Sequence, residues 1–455
     1  MINVKIDSRK VSEGDIFVAL RGSVVDGHSF INNAIENGAV KVVVEEDVEC
    51  SVPKEIVKDT GEWLTNYVSS NYSKDVNTMD ILGITGTNGK TTTAYLTYQM
   101  LNKLGKKTAY IGTIGFYIPG EDVVELPNTT PNILDLYELL LEAKNKNCEA
   151  VIMEVSSHAL HQKRVEGLKF KTAAFTNLTQ DHLDYHKTMD DYLNAKLLLL
   201  KQLTGKMVVN VDDPYSSYWL NNYKECLTLG KKGTDFVINS YSNTDKGTRI
   251  DASIFGKQYD IETNLTSSFN VYNYLMALAM VNSLGYSVDN IIDITKDIYP
   301  PKGRCEQIRV GKGKAVVDYA HTPDAVEKII DAFVGTVKGK VITLIGCGGD
   351  RDPKKRPLMG NIAATKSDYV VFTSDNPRTE DPQKIMDDIL AGVETNNYEV
   401  ELDRRKAIVK ALDMIKGDDI VLILGKGHED YQILGREKTH FDDAEEVRKY
   451  AEGKN

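Results

Sequence analysis

The chain has no hydrophobic run long enough to span a bilayer, and its first residues, "MINVKIDSRKVSEGDIF", alternate charged with apolar side chains and hold no secretory h-region. A protein without membrane insertion is the expectation. The five cysteines (Cys50, Cys148, Cys226, Cys305 and Cys347) form no CxxC pair, which fits a reducing, cytoplasmic setting. Positive charge is not in excess: 55 Lys and Arg stand against 66 Asp and Glu, for a net charge of −11. That balance argues against a nucleic-acid partner. It leaves anionic ligands open, because local cations and backbone N–H groups hold those. Internal repeats and low-complexity tracts are also missing. What remains is an ordinary globular composition, 41% hydrophobic and 27% charged, over 455 residues, enough for two or three domains.

The pattern along the chain is α/β. Residues 1–78 contain two β-type runs, "DIFVAL" and "AVKVVVE", and "SSNYSKDVNTM" at 69–79 reads as a polar linker. Beyond it, "DILGIT", "KKTAYIG", "EAVIMEV", "KTAAFTN" and "KMVVNV" are strands at α/β spacing, which predicts a mostly parallel sheet over 79–299. "KTTTAYLTYQMLNKL" reads as a helix closed by Gly105. Pro300 and Pro301 mark a second break. From 300 to 455, "KAVVDYA", "KVITLIG", "DYVVFTS" and "DIVLILG" alternate with helices starting near 323, 358, 382 and 404, a second, Rossmann-like doubly wound sheet.

"GITGTNGKTTTAYL", residues 83–96, joins a buried strand to a helix. The usual phosphate loop, G-x-x-x-x-G-K-[ST], would put its first glycine at position 84; the chain has Ile84 there and Gly86 two residues later. The chemistry survives the mismatch. Gly86 and Gly89 let the backbone approach phosphate oxygens, Lys90 neutralises the β/γ-phosphates, and the Thr91 hydroxyl can ligate Mg²⁺ at a helix N-terminus that favours anions. A bland Gly-Asn turn before a helix is the competing explanation. Nearby, "IMEVSSH" ends a strand on Glu154, and "TNLTQDHLDYH" offers Asp181, His182, Asp184 and His186. Oxygen ligands beside a phosphate loop favour Mg²⁺ over zinc, although any one of these histidines could equally be a cap. In "TMDDYLNAKLLLLKQL", Thr188 and Asp191 resemble a capping box. Lys196 shares a stripe with Leu193, Leu197 and Leu200, where it must snorkel or find a partner.

Together these residues resemble the Mur ligase family, whose phosphate loop is T-G-T-x-G-K-[ST], matched by Thr85 to Thr91. The resemblance covers essentially the whole chain. It implies an ATP-dependent amide ligase of peptidoglycan precursor synthesis: a substrate carboxylate becomes an acyl phosphate, which an amine attacks. It implies ATP contacts at Gly86, Thr87, Asn88, Gly89, Lys90, Thr91 and Thr92, with Asn273 of "SFNVYNYLMA" near the adenine and Arg304, Asp318 and His321 also on the nucleotide. One Mg²⁺ would sit on Thr91 and Glu154. A second would sit on Glu154, His182 and a carbamylated Lys196, so that Lys90, Lys196, Glu154 and His182 form the catalytic set.

Within the family, "DSRKVSEGDIFVALRG", "NTTP", "EVSSHALHQKRV" and "GCGGDRD…KRPLMG" resemble the branch that adds the third amino acid to UDP-N-acetylmuramoyl-L-alanyl-D-glutamate. That implies nucleotide-sugar contacts at Ser8, Asn128, Thr129, Thr130, Ser156, Gln162 and Arg164. "TSDNPRTEDP" carries Asp375, Asn376, Pro377 and Arg378, the form associated with meso-diaminopimelate rather than L-lysine; Arg351, Gly425 and Glu429 would complete the pocket. An arginine fork fits the extra carboxylate, and leaving it unpaired discriminates by roughly 10⁴–10⁵. The rival within the branch is an L-lysine-adding enzyme. Folylpolyglutamate synthetase shares the loop but lacks a domain like 1–78, and a nucleotide-gated binding module would have no need of a second metal site. A monomer is the expectation.

Overall fold

The computed structural model describes residues 2–22, 25–244, 247–334 and 337–453. The chain folds into two compact units, one made of Met1–Gly83, Lys106–Ala173 and Ala195–Gly205, the other of Ile84–Gly105, Ala174–Asn194 and Lys206–Asn455.

The first unit starts with a four-stranded parallel sheet, Val4–Lys5, Ile16–Val18, Lys41–Val44 and Lys54–Ile56 in that order. Its core is small, built on Phe17, Ile31, Val42 and Val44. The stretch expected as a linker is instead the end of the helix Thr60–Val76. Asp59 caps that helix by accepting from Glu62 N at 2.8 Å. Leu64, Val68 and Val76 are buried along it, so packing overrides the weak helix propensity of its serines and asparagines. It packs on the helix Ile133–Asn145. The same unit holds the strand Thr108–Gly112, parallel to Ala150–Glu154 and antiparallel to Gly115–Tyr117.

In the second unit the phosphate-loop helix Lys90–Lys103 packs on the apolar helix Ser268–Asn282, and Gly105 takes a positive φ just past the C-cap Leu104. The strands Leu203–Asn210, Cys226–Gly230 and Phe236–Asn243 run parallel, followed by an antiparallel meander through Thr248–Ile254 and Lys257–Thr263 that the sequence pattern did not announce.

The C-terminal sheet has six strands in the order Glu306–Val310, Gly313–Asp318, Ile420–Leu424, Val341–Ile345, Tyr369–Phe372, Tyr398–Val400. All neighbours are parallel except the first pair, and helices cover both faces. Parallel strands in such a sheet deliver their loops to one edge, the usual place for a ligand. The loops after Ile420–Leu424, Val341–Ile345 and Tyr369–Phe372 carry "GKGHED", "GCGGDRD" and "TSDNPR".

Candidate active site

The phosphate loop is held from below. Thr87 N donates to Asn177 O and Asn88 N to Asn177 Oδ1, both at 2.9 Å, while Thr176 Oγ1 donates to Asn88 O at 2.7 Å. Gly89 lies at φ +85°, and a Cβ there would run into the Asn273 carboxamide. Asn273 is thus beneath the loop, where it also accepts from Thr93 Oγ1 at 3.3 Å. The Lys90 ammonium curls over its own loop, donating to Gly86 O at 3.0 Å and Thr87 O at 2.8 Å. Thr91 and Thr92 are buried in the first turn of the helix.

Arg304, Asp318 and His321 gather near this loop. Arg304 Nη2 donates to Thr91 Oγ1 at 3.2 Å, and its guanidinium lies 4.4 Å above the Tyr319 ring. Asp318 accepts from Cys305 N at 2.7 Å and Ala320 N at 2.8 Å. Burial raises the pKa of its carboxyl, against the pull of Arg304. Burial, and then the Lys355 charge, push the His321 imidazole below its ordinary value. Tyr319, the platform beneath Arg304, carries no signal of its own in the sequence; it is the next-to-last residue of the strand run "KAVVDYA".

His182 caps the short helix Leu183–His186 at φ 54°, with its Nε2 3.4 Å from Asp181 Oδ2. Burial opposes ionisation of Asp181, but His182, His321 and Lys355 outweigh it and hold the carboxyl below its usual range. His186 is buried against the rings of Tyr185 and Tyr192, whereas Asp184 is exposed. Half of the expected capping box forms: Asp191 N donates to Thr188 Oγ1 at 3.1 Å, but Asp191 Oδ2 accepts from the Thr188 hydroxyl at 2.7 Å and Thr188 N donates to His186 O instead.

In the first unit Glu154 is fully buried at its strand end, accepting from Tyr110 OH at 2.7 Å, Thr113 N at 2.8 Å and Thr113 Oγ1 at 3.2 Å. Lys196 is 1% exposed, so it does not snorkel. Most of the expected sugar-contact residues come together. Thr113 and Thr129 share a hydroxyl hydrogen bond at 3.0 Å, and Thr130 Oγ1 donates to Glu154 O at 2.9 Å and accepts from Ser156 N at 3.1 Å. Arg164 Nη1 donates to Thr130 O at 2.8 Å, and its Nε to Gln162 Oε1 at 2.9 Å. Asn128 is exposed beside them. Ser8 lies in the short helix Ser8–Lys10 next to the N-terminal sheet, and its carbonyl accepts from Asn37.

The C-terminal loops form a tightly hydrogen-bonded polar cluster. Asn376 Nδ2 donates to Glu429 Oε2 at 2.7 Å, and its Oδ1 accepts from Ile433 N at 2.9 Å. Gly425, at φ +112°, brings the backbone so close that a Cβ would stand 2.6 Å from Asp375 Oδ2. Burial and then the Asp375 charge push the Glu429 carboxyl up, while Lys426 opposes them. Lys426 is fully buried, 3.4 Å from Glu429 Oε2, a partner that its lone place in "GKGHED" does not announce. Pro377 is buried, and Arg351 is exposed with Nη1 on Asp350 O at 3.1 Å. Arg378 takes a left-handed φ of 51°, held by Arg378 N on Ile433 O and Gly435 N on Arg378 O. Its Nη1 donates to Gly349 O at 2.8 Å, while Nε and Nη2 meet no protein acceptor among the described residues.

Three family profiles match in succession: Mur ligase family, catalytic domain, at residues 2–85; Mur ligase middle domain at 84–281; and Mur ligase, glutamate ligase domain, at 303–427. A UDP-N-acetylmuramoyl-L-alanyl-D-glutamate--2,6-diaminopimelate ligase from Aquifex aeolicus is 43% identical over 453 residues, 99% of this chain and 93% of the relative. The chain belongs to the Mur ligase family. A Bacillus cereus protein of the same name is 40% identical, covering 99% of this chain and 94% of its own. A solved structure of a ligase with that name superposes with a TM-score of 0.69 at 32% identity, over 100% of this chain and 95% of the other. The MurF ligase from Thermotoga maritima in complex with ADP matches at TM-score 0.71 and 20% identity, over 99% and 97% of the two chains, which speaks for the Mur ligase fold alone. This Mur ligase therefore has the three-domain α/β architecture that its sequence pattern predicts. Among its described residues no helix is long and apolar enough to cross a membrane.

Proposed function

We infer that the chain is an ATP-dependent amide ligase that adds meso-diaminopimelate to UDP-N-acetylmuramoyl-L-alanyl-D-glutamate through an acyl phosphate, in peptidoglycan precursor synthesis. The observation that carries the choice of amino acid is Arg378, held in a left-handed conformation with two guanidinium nitrogens, Nε and Nη2, still unspent. A fork so presented suits a distal carboxylate. L-Lysine would bring an ammonium to it instead. Curated relatives at about 40% identity over the whole chain carry the diaminopimelate name, which supports the same choice.

The roles follow from the chemistry of each group. Gly86 to Thr92 bind the phosphates, Lys90 and Arg304 offset the charge that spreads over the transferring phosphoryl group, and Asn273, Asp318 and His321 shape the nucleotide site. Ser8, Asn128, Thr129, Thr130, Ser156, Gln162 and Arg164 hold the nucleotide-sugar substrate. Arg351, Asp375, Asn376, Pro377, Arg378, Gly425 and Glu429 hold the amino acid, with Asp375 and Glu429 orienting its reacting end. The domain boundaries we propose are 1–78, 79–299 and 300–455.

Among the described residues no group of three or more His, Cys, Asp or Glu side chains gathers for a metal. The set we propose holds only two side chains of those types, Glu154 and His182, and adds Thr91 and Lys196. A fully buried carboxylate and a buried lysine that carbamylation turns into an anion suit a hard divalent cation such as Mg²⁺. When bound, Mg²⁺ neutralises phosphate charge. We place the enzyme in the cytoplasm as a monomer.

The test is phosphate release with ATP, Mg²⁺ and the UDP-muramoyl dipeptide, with meso-diaminopimelate and L-lysine compared. Turnover with diaminopimelate alone is expected. Preference for L-lysine would retain the ligase and refute the Arg378 assignment. ATP binding without amine-dependent phosphate release, in folded protein, would favour a nucleotide-gated binding module.

A further inference from the structure

The amino-acid pocket is assembled from two loops whose strands do not touch. Ile420–Leu424 and Tyr369–Phe372 are separated in the sheet by Val341–Ile345, so no ladder joins their ends. The loops meet through the Asn376–Glu429 hydrogen bond, and beneath them Arg404 ties the strand ends themselves together. Arg404, the first residue of the helix Arg404–Asp413, reaches under both strand ends: Nη2 donates to Leu424 O at 3.1 Å, and Nη1 to Ser374 O at 3.3 Å. Those carbonyls belong to the residues immediately before Gly425 and Asp375. The remaining donors lock onto Asp443 in a fork, Nε to Oδ1 at 2.8 Å and Nη2 to Oδ2 at 2.7 Å, and both side chains are wholly buried. After Asp443, the charges that act most on this guanidinium are those of Asp375 and Glu429.

A buried ion pair is weak evidence for stability, because apolar residues of similar volume often serve as well. What apolar residues cannot supply is a planar five-donor group that measures the gap between two carbonyls. We propose that Arg404, oriented by Asp443, is a positioning residue for the amino-acid substrate, setting the spacing between the loop of Asp375–Arg378 and the loop of Gly425–Glu429. The inference rests on the assignment of those loops to the amino acid. It predicts a selective loss: capture of the amino acid weakens while the nucleotide and sugar sites work as before.

The experiment uses the full-length enzyme in three forms. Arg404→Met with Asp443→Leu removes both charges together, so neither is left buried alone. Arg404→Lys keeps the charge and loses the fork, and Arg378→Ala tests the pocket itself. KM is measured for diaminopimelate, ATP and the UDP-muramoyl dipeptide, with kcat and the thermal midpoint alongside. We expect KM for diaminopimelate to rise about tenfold to a hundredfold in the double variant and less in Arg404→Lys, since a small misplacement at a reacting site costs that much. The other two KM values should stay within about twofold, because those sites keep their contacts. If the double variant does not fold, Arg404→Lys decides. Unchanged KM for diaminopimelate in a folded Arg404 variant, with kcat alone reduced, overturns the positioning role. If Arg378→Ala also leaves that KM unchanged, the assignment of the pocket has failed rather than the role of Arg404.

Discussion

The Arg304 guanidinium donates to the Thr91 hydroxyl at 3.2 Å while resting 4.4 Å above the ring of Tyr319. Stacking fixes the plane of the fork, and the hydrogen bond aims it at the first turn of the phosphate-loop helix. Arg304→Ala should therefore lower kcat about 10²–10³-fold, the scale for losing one preorganised charge partner. Phosphate release under saturating substrates checks it; a kcat within a few-fold of wild type would place Arg304 outside the chemistry.

Gly89→Ala tests the loop. The new Cβ meets both an unfavourable φ and the Asn273 carboxamide. The strain costs about 1 kcal/mol before any displacement of Asn273. The expected result is a lowered thermal midpoint and loss of the upward shift that ATP and Mg²⁺ give the wild type. An ATP-induced shift of normal size would show that the loop tolerates the methyl group.

With Glu429 in the proposed amino-acid site, the pH dependence of capture follows from its carboxyl. Its carboxyl is pushed up by burial and by Asp375, so it stays protonated to a higher pH than an ordinary glutamate. An ammonium is held only by the ionised form. KM for diaminopimelate should consequently fall as pH rises from the ordinary glutamate range through the raised value, then level off. Glu429→Gln should abolish that limb and raise the plateau KM about tenfold to a hundredfold, the worth of a charge-assisted hydrogen bond. Steady-state KM profiles of the two proteins decide it. An unchanged limb in Glu429→Gln would assign the titration elsewhere.

Lys196 is buried to 1% exposure, where an ammonium is costly. Enzyme kept in carbon-dioxide-free buffer should lose phosphate release, and added bicarbonate should restore it. Lys196→Met should fold, stay about 10² or more below wild type in rate, and ignore bicarbonate. A bicarbonate response that persists in Lys196→Met would exclude carbamylation at this residue.

Much of this arrangement was legible in the sequence because it is local. Strand, glycine loop and helix around Lys90 follow one another in the chain, and hydrophobic period and loop chemistry report such units directly. The awkward lysine on an apolar stripe pointed to itself. What escaped depends on distant partners. The end of the helix Thr60–Val76, from residue 69 on, looked like a linker because its serines and asparagines favour turns, and the burial of Leu64, Val68 and Val76 along the helix holds it. Arg404 looked like one charge among several at a helix start; its meaning lies in Asp443, 39 residues away. The hairpin strands Tyr431–Leu434 and Glu437–His440, the first of which braces Asn376 and Arg378, carry too little hydrophobic alternation to be seen.

If Lys90 binds the nucleotide as proposed, its curled position sets a condition on that binding. Its ammonium already satisfies two carbonyls of its own loop, so an arriving phosphate competes with an existing pair of hydrogen bonds rather than meeting a bare cation. The transition state, in which phosphate charge spreads outward, can claim more of the lysine than the ground state does. A cation kept busy at rest is one way to hold ATP loosely and its transferring phosphoryl group tightly.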